Sequence, residues 1–136
     1  MEHETKRIFI ADDDHDILEI LELMLKTRGY EVIVSSSAGE LFDFTPEQLP
    51  DLILLDIWMS GIDGRDICMR LKNNDAMKNI PVLFISANSN IETIAEECYA
   101  EGYIAKPFDM DMLLNKVESV ISSHANSHTN SHANSR

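Results

Sequence analysis

Leu52-Ile53-Leu54-Leu55-Asp56 is the stretch that decides the fold of this chain. Four consecutive apolar residues leave no polar face, so the run reads as a strand covered on both sides, the pattern of a parallel sheet between helices. The carboxylate that closes it then emerges at the sheet's carboxyl edge, where open α/β sheets place their chemistry. Three more runs end on a chemical group: Ile8-Phe9-Ile10-Ala11 on Asp12-Asp13, Val82-Leu83-Phe84-Ile85 on Ser86, and Tyr103-Ile104-Ala105 on Lys106-Pro107. Val32-Ile33-Val34 supplies a fifth strand.

Segments of helical period lie between these runs, which predicts an α/β fold with a five-stranded parallel sheet and helices on both faces. The first helix is expected to start at Asp14 as N-cap, bury Ile17, Ile20, Leu21 and Met24, and stop at Gly29. A second, short helix is expected over Ala38 to Phe44, with Pro46 and Pro50 breaking the segment between it and the next strand. Asp63 to Asn74 and Ser89 to Tyr99 read as the third and fourth, the latter with Ile91, Ile94, Ala95 and Cys98 on one side. The fifth carries Met110, Leu113, Leu114, Val117 and Ile121 behind Asp109 as cap.

With 136 residues, 44% of them hydrophobic, the chain fits one domain with one core. Residues 1–6 read as an N-terminal extension, 7–122 as the domain, and 123–136 as a disordered low-complexity tail, because SHANSHTNSHANSR holds no large apolar side chain. His124, His128 and His132 would share a face if that tail were helical. Acidic residues outnumber basic ones 24 to 11, for a net charge of −13, and no Lys/Arg cluster offers a track for a phosphate backbone, so no direct nucleic acid contact is expected. No apolar run approaches the length of a membrane span and MEHETKR has no signal core; a cytoplasmic location without membrane insertion is expected. Cys68 and Cys98, without CxxC spacing, read as reduced packing residues.

Asp12-Asp13-Asp14-His15-Asp16 invites two readings that its spacing rejects. A calcium loop needs glycine at the sixth position and glutamate at the twelfth, where this chain has Ile17 and Leu23. An aspartyl-nucleophile phosphatase wants a small hydroxyl or β-branched residue where Asp16 stands. Asp14 and Asp16 suit the positive end of a helix dipole, but Asp12 and Asp13 precede the helix and need another reason. With strand order 2-1-3-4-5, the first and third strands adjoin and bring Asp12, Asp13 and Asp56 to the switch point of the sheet. Three clustered carboxylates call for a hard divalent cation, and oxygen-only ligands with room for water suit Mg²⁺ or Mn²⁺.

On these motifs the chain, from Arg7 to Ile121, resembles the receiver domain of two-component response regulators. The resemblance implies the flavodoxin-like, doubly wound fold. It implies Asp56 as phospho-acceptor, Asp12, Asp13, Asp56 and the backbone carbonyl of Trp58 as metal ligands, and Lys106, before a cis bond to Pro107, as the ammonium that pairs first with Asp56 and then with a phosphoryl oxygen. Ser86 would be the switch hydroxyl and Tyr103 the switch aromatic, and Asp63-Gly64 a structural turn. The phosphoryl donor would be a sensor histidine kinase or a histidine phosphotransfer protein. Output would pass to a downstream protein through the fourth helix, fifth strand and fifth helix, or to a phosphorylation-dependent homodimer. Ser60, where a proline is common in the family, predicts a more mobile loop; Tyr99 takes a place often held by glycine. Trp58, bulky and two residues past Asp56, is expected to screen an acyl phosphate from water. Two alternatives stand beside this reading: a metal-dependent hydrolase with Asp56 or Asp12 as nucleophile, for which no general acid-base group is evident, and the receiver fragment of a longer regulator.

Overall fold

The computed structural model describes residues 5–133, with side chains described through Ser123. Five strands form the main sheet: β1 (Arg7–Ala11), β2 (Glu31–Ser35), β3 (Leu52–Asp56), β6 (Val82–Ser86) and β7 (Gly102–Ala105). All neighbours are parallel in the order β2-β1-β3-β6-β7, the expected 2-1-3-4-5. Two short strands, β4 (Trp58–Met59) and β5 (Ile62–Asp63), form a separate antiparallel hairpin.

The sheet is covered on both faces because its strands are apolar on both. Ile8, Ile10, Leu54 and Leu83 pack with Leu21 and Leu25 of α1 (His15–Thr27) and with Leu113 and Val117 of α4 (Met110–Ala133). Phe9, Ile53, Leu55 and Phe84 pack on the other face with Ile67 and Leu71 of α2 (Gly64–Lys72) and Ile94 of α3 (Ile91–Glu97). Apolar patterning alone therefore does not fix the register of a strand such as β3, since a slip keeps both faces apolar. The polar ends fix it: drawing Asp56 inward would bury an unpaired charge at a cost of several kcal/mol, roughly, more than one buried leucine repays.

Asp14 caps α1 by accepting the amide hydrogens of Asp16 and Ile17, and the chain leaves at Gly29 with φ +92°. The buried stripe differs from the expected one. Leu18, Leu21 and Leu25 face the sheet, Ile17 and Met24 are half-buried at its margin, and Ile20 stands 51% exposed. Nearly every residue from Ile17 to Leu25 is apolar except two glutamates, so two overlapping stripes were available and packing chose the other.

The expected second helix is replaced by two 3-10 turns, Gly39–Asp43 and Pro46–Gln48. Proline at 46 denies the i→i−4 bond an α-helix would need, and Leu41 anchors the first turn in the core with Phe42 packed at its margin. Tyr99 adopts the left-handed conformation a glycine would take (φ +61°) as the chain turns toward β7, at a cost of about 1 kcal/mol for a side chain in that region. Helix α4 is capped by Asp109, which accepts the Asp111 amide hydrogen, and buries Leu113, Leu114, Val117 and Ile121 with Met110 at the margin. Its backbone runs on to Ala133, where composition predicts disorder from Ser123; the repeat has no glycine or proline to end a helix. His124, His128 and His132 lie outside the residues whose side chains are described. Cys68 and Cys98 are free and buried, and burial pushes the Cys68 thiol up to about 12, as befits packing residues.

Candidate functional site

Sheet register gathers the strand-end groups. Ala11 pairs with Leu55, so Asp12 emerges level with Asp56; Asp56 pairs with Ile85, and Ser86 with Ala105, so Ser86 and Lys106 follow within one residue. Ligand oxygens of Asp12, Asp13 and Asp56 lie within 4.8 Å of one another. Asp12 and Asp56 are buried and Asp13 is exposed. The set is all oxygen, three negative charges in a small volume, and fits a hard divalent cation with room for water.

Lys106 is the one cation within salt-bridge reach of this cluster among the described residues. Its Nζ donates to Asp12 Oδ2 at 2.8 Å and stands 3.7 Å from Asp56 Oδ2. The expected first partner of the ammonium was Asp56; here Asp12 holds the short bond. Asp12 is the most buried of the acids, so it gains most from a full hydrogen-bonded charge partner. Burial alone would lower the Lys106 ammonium, but the hydrogen bond and charge of Asp12, then Asp56 and Asp14, outweigh it and raise it. Asp56 is raised too, which for an acid disfavours the charged form: burial, then the Asp12 charge, push its carboxyl up to about 6 against the pull of Lys106. The peptide bond from Lys106 to Pro107 is cis, as expected.

The loop after β3 is the part that sequence reading missed. Where a more mobile loop is expected, Ser60 (φ +52°) and Gly61 (φ +78°) make a tight left-handed turn that joins β4 to β5. The Ser60 amide hydrogen is donated to Asp13 Oδ2 at 2.8 Å, across 47 positions in sequence. The only local sign was the Ser-Gly pair, and the bond to Asp13 is not visible in any local pattern. Gly64 starts α2 hard against β3: a β-carbon there would run into the Asp56 carbonyl oxygen, while its amide hydrogen is donated to the Ile57 carbonyl. Asp63 caps α2 by accepting the Arg65 amide hydrogen, and hydrogen bonds from the Arg65 side chain hold its carboxyl below the usual range.

Ser86 is buried, and its hydroxyl accepts the Asn88 amide hydrogen at 3.1 Å, bracing the turn toward α3. Ala87 beside it is exposed. Tyr103 on β7 is partly exposed (37%), and Trp58 on β4 is 57% exposed. Tyr103, Pro107, Phe108, Met112 and Lys116 line a groove of about 640 Å³ between β7 and α4. No helix among the described residues is long and apolar enough to cross a membrane.

Comparison with known proteins gives this edge a context. A family model described as the response regulator receiver domain matches residues 8–118. The nisin biosynthesis regulatory protein NisR of Lactococcus lactis subsp. lactis is 39% identical over 117 residues, which cover 85% of this chain and 50% of that protein. The chain thus spans about half the length of this curated relative. The receiver domain of NtrX from Brucella abortus is similar with a TM-score of 0.76 at 28% identity, over 85% of this chain and 98% of that one. The signal receiver domain of a signal transduction histidine kinase from Syntrophus aciditrophicus matches with a TM-score of 0.76 at 27% identity, over 88% of this chain and 92% of that one.

Proposed function

Because the chain belongs to the response regulator receiver domain family, a family of phospho-acceptors and not of hydrolases, we propose that Asp56 is the residue that accepts the phosphoryl group. One observation carries this assignment: among the strand-end acids, Asp56 is the buried carboxylate without the short Lys106 bond, and its raised proton affinity marks an oxygen pair poorly neutralised in the resting state. An Asp56 oxygen attacks the phosphorus of a phosphohistidine on a sensor histidine kinase or histidine phosphotransfer protein. The P–O bond forms as the P–N bond breaks, and the freed imidazole keeps the electron pair and takes a proton. The product is an acyl phosphate on Asp56.

Asp12, Asp13, Asp56 and the Trp58 carbonyl would hold Mg²⁺ or Mn²⁺, which supplies positive charge against the phosphoryl oxygens and the crowded carboxylates. Lys106, already beside Asp56, needs only a small shift from Asp12 to meet a phosphoryl oxygen. The Ser86 hydroxyl would exchange its Asn88 amide for the same group, and the partly exposed Tyr103 ring would turn into the space it leaves. Tyr103 borders the groove on β7 and α4, so the change reaches a surface suited to a downstream protein or, in a phosphorylated pair, a second copy. The folded unit of this reading is 7–122, acting in the cytoplasm either by itself or as the receiver part of a longer regulator; its output does not require direct contact with nucleic acid.

Intact-protein mass spectrometry after incubation with Mg²⁺ and acetyl phosphate tests the proposal. One phosphoryl mass that requires Mg²⁺ and is absent in Asp56→Asn is the expected result. An adduct that survives Asp56→Asn unchanged would move the acceptor elsewhere.

A further inference from the structure

Asp12 is held twice, by Lys106 and by the Asp14 amide hydrogen at 2.9 Å, and is buried. Asp13 has neither support. It is exposed, and among the described residues its hydrogen bond is the one it accepts from Ser60 at 2.8 Å. An exposed aspartate on a strand-end loop otherwise samples several rotamers, and each would have to be given up on binding a ligand. The donor is unusual in turn. It is a backbone N–H presented by a serine in the left-handed region (φ +52°), followed by Gly61 at φ +78°. The two make the short turn that pairs Trp58 with Asp63 and Met59 with Ile62. Serine has no special preference for that conformation, so the hairpin sets the backbone and the backbone aims the amide.

We propose that the backbone N–H of Ser60 is a positioning group for the cation site: it locks the Asp13 carboxylate in its ligand rotamer and ties the β4–β5 hairpin to the acid pair at the end of β1. The inference rests on the reading of Asp12, Asp13 and Asp56 as cation ligands. Oδ2 of Asp13 is occupied by the amide and Oδ1 is left to a cation, so the bond organises the carboxylate without consuming it. It also sets a partial positive charge beside Asp13, as Lys106 sets a full one beside Asp12 and Asp56. Proline, common at this position in the family, could neither donate this hydrogen bond nor keep the positive φ that Ser60 adopts, so the support of Asp13 is particular to this chain. Because Trp58 rides on the same hairpin, its largely exposed indole becomes a reporter of the state of Asp13.

The test is Mg²⁺ titration of the metal-free protein by calorimetry and by Trp58 fluorescence. Ser60→Pro should weaken Mg²⁺ binding by about 3- to 10-fold, the worth of roughly one ordinary hydrogen bond at a solvent-exposed site. Ser60→Gly, which keeps the N–H and accepts the left-handed turn more readily, should bind within about twofold of wild type. At saturating Mg²⁺ the phosphorylation rate of Ser60→Pro should return to the wild-type value, which a general disruption of the fold would prevent. Should the proline variant misfold, replacing residue 60 by lactic acid removes only the N–H, with Ser60→Ala as its control. Equal Mg²⁺ affinity with and without the N–H overturns the inference. If instead the wild-type protein takes up no Mg²⁺, or Asp13→Asn leaves its affinity unchanged, the cation reading itself fails and this inference with it.

Discussion

Asp12, Asp56 and Lys106 lie under the edge of the sheet, whereas Asp13, Ser60 and Trp58 stand in solvent a few residues away. Both groups border the same cluster of oxygens, yet they are held by different means. In the buried half, position follows from strand register and the energy is electrostatic: two carboxylates share one ammonium in a poorly solvated place. In the exposed half, position follows from backbone conformation, a two-residue turn and one amide hydrogen bond, and water screens the charges. Substitutions in the first half should therefore change stability and proton affinity, and substitutions in the second should change ligand affinity with the fold left nearly intact.

The sharpest contrast comes from removing the shared cation. Lys106→Met leaves Asp12 and Asp56 without a charge partner and should destabilise the metal-free protein by about 3 kcal/mol in urea unfolding at pH 7, as breaking a largely buried pair does. Asp13→Asn, in the exposed half, should stay within about 0.5 kcal/mol. Comparable losses from the two variants would erase the distinction.

Asp56 predicts an effect of the opposite sign. Its carboxyl is raised from 3.8 to about 6, so the fold binds that proton more tightly than the unfolded chain does. The contribution of Asp56 to stability is therefore best below about pH 4, falls as pH rises through the interval between about 4 and 6, and is at its worst above it. Asp56→Asn should stabilise the metal-free protein by about 2 kcal/mol at pH 7.5 and by nothing near pH 4, while abolishing phosphorylation. A flat difference between the two proteins across that pH range would show that Asp56 is not the strained member of the buried half.

Gly64→Ala tests the joint between the halves. The added β-carbon meets the Asp56 carbonyl oxygen, so α2 must move away from β3 and carry the hairpin with it. A loss of about 1.5 kcal/mol is expected, as for modest overpacking, together with weakened Mg²⁺ binding, measured by unfolding and by calorimetry on the same preparation. Lost stability with wild-type Mg²⁺ affinity would mean that the hairpin is not carried by α2.

Sequence and structure agree wherever a long-range position follows from a local pattern. Apolar runs ending in Asp12, Asp56, Ser86 and Lys106 located four strand ends, and parallel register did the rest, because level strand ends bring level residues together. The buried half of the site was legible for that reason. In the exposed half Asp13 was legible in the same way, as the neighbour of Asp12, but its support was not: the Ser60 amide reaches it through a turn whose φ angles no side-chain pattern encodes. The same limit explains the Lys106 partner, which depends on which of two neighbouring carboxylates is buried more deeply. It also explains α1, where seven apolar residues between Ile17 and Leu25 allowed either of two faces to pack. The segment after β2 failed differently, since a short apolar stretch before Pro46 fits a 3-10 turn as well as one turn of α-helix.

Trp58 carries the smallest expected effect and the most direct test of what exposure means here. A large aromatic two residues past the proposed acceptor suggests a shield over the acyl phosphate, but a shield must exclude water from the phosphoryl group, and an indole that keeps 57% of its surface in water buries little with which to do so. Trp58→Ala should therefore shorten the half-life of phosphorylated Asp56 by less than about twofold, followed by mass spectrometry after removal of the phosphodonor, and leave unfolding free energy within about 0.5 kcal/mol. A tenfold shortening corresponds to about 1.4 kcal/mol of barrier, more than an outward indole could supply. That result would mean that phosphorylation draws the hairpin inward and places Trp58 over Asp56, so that the exposed half closes onto the buried one only in the phosphorylated state.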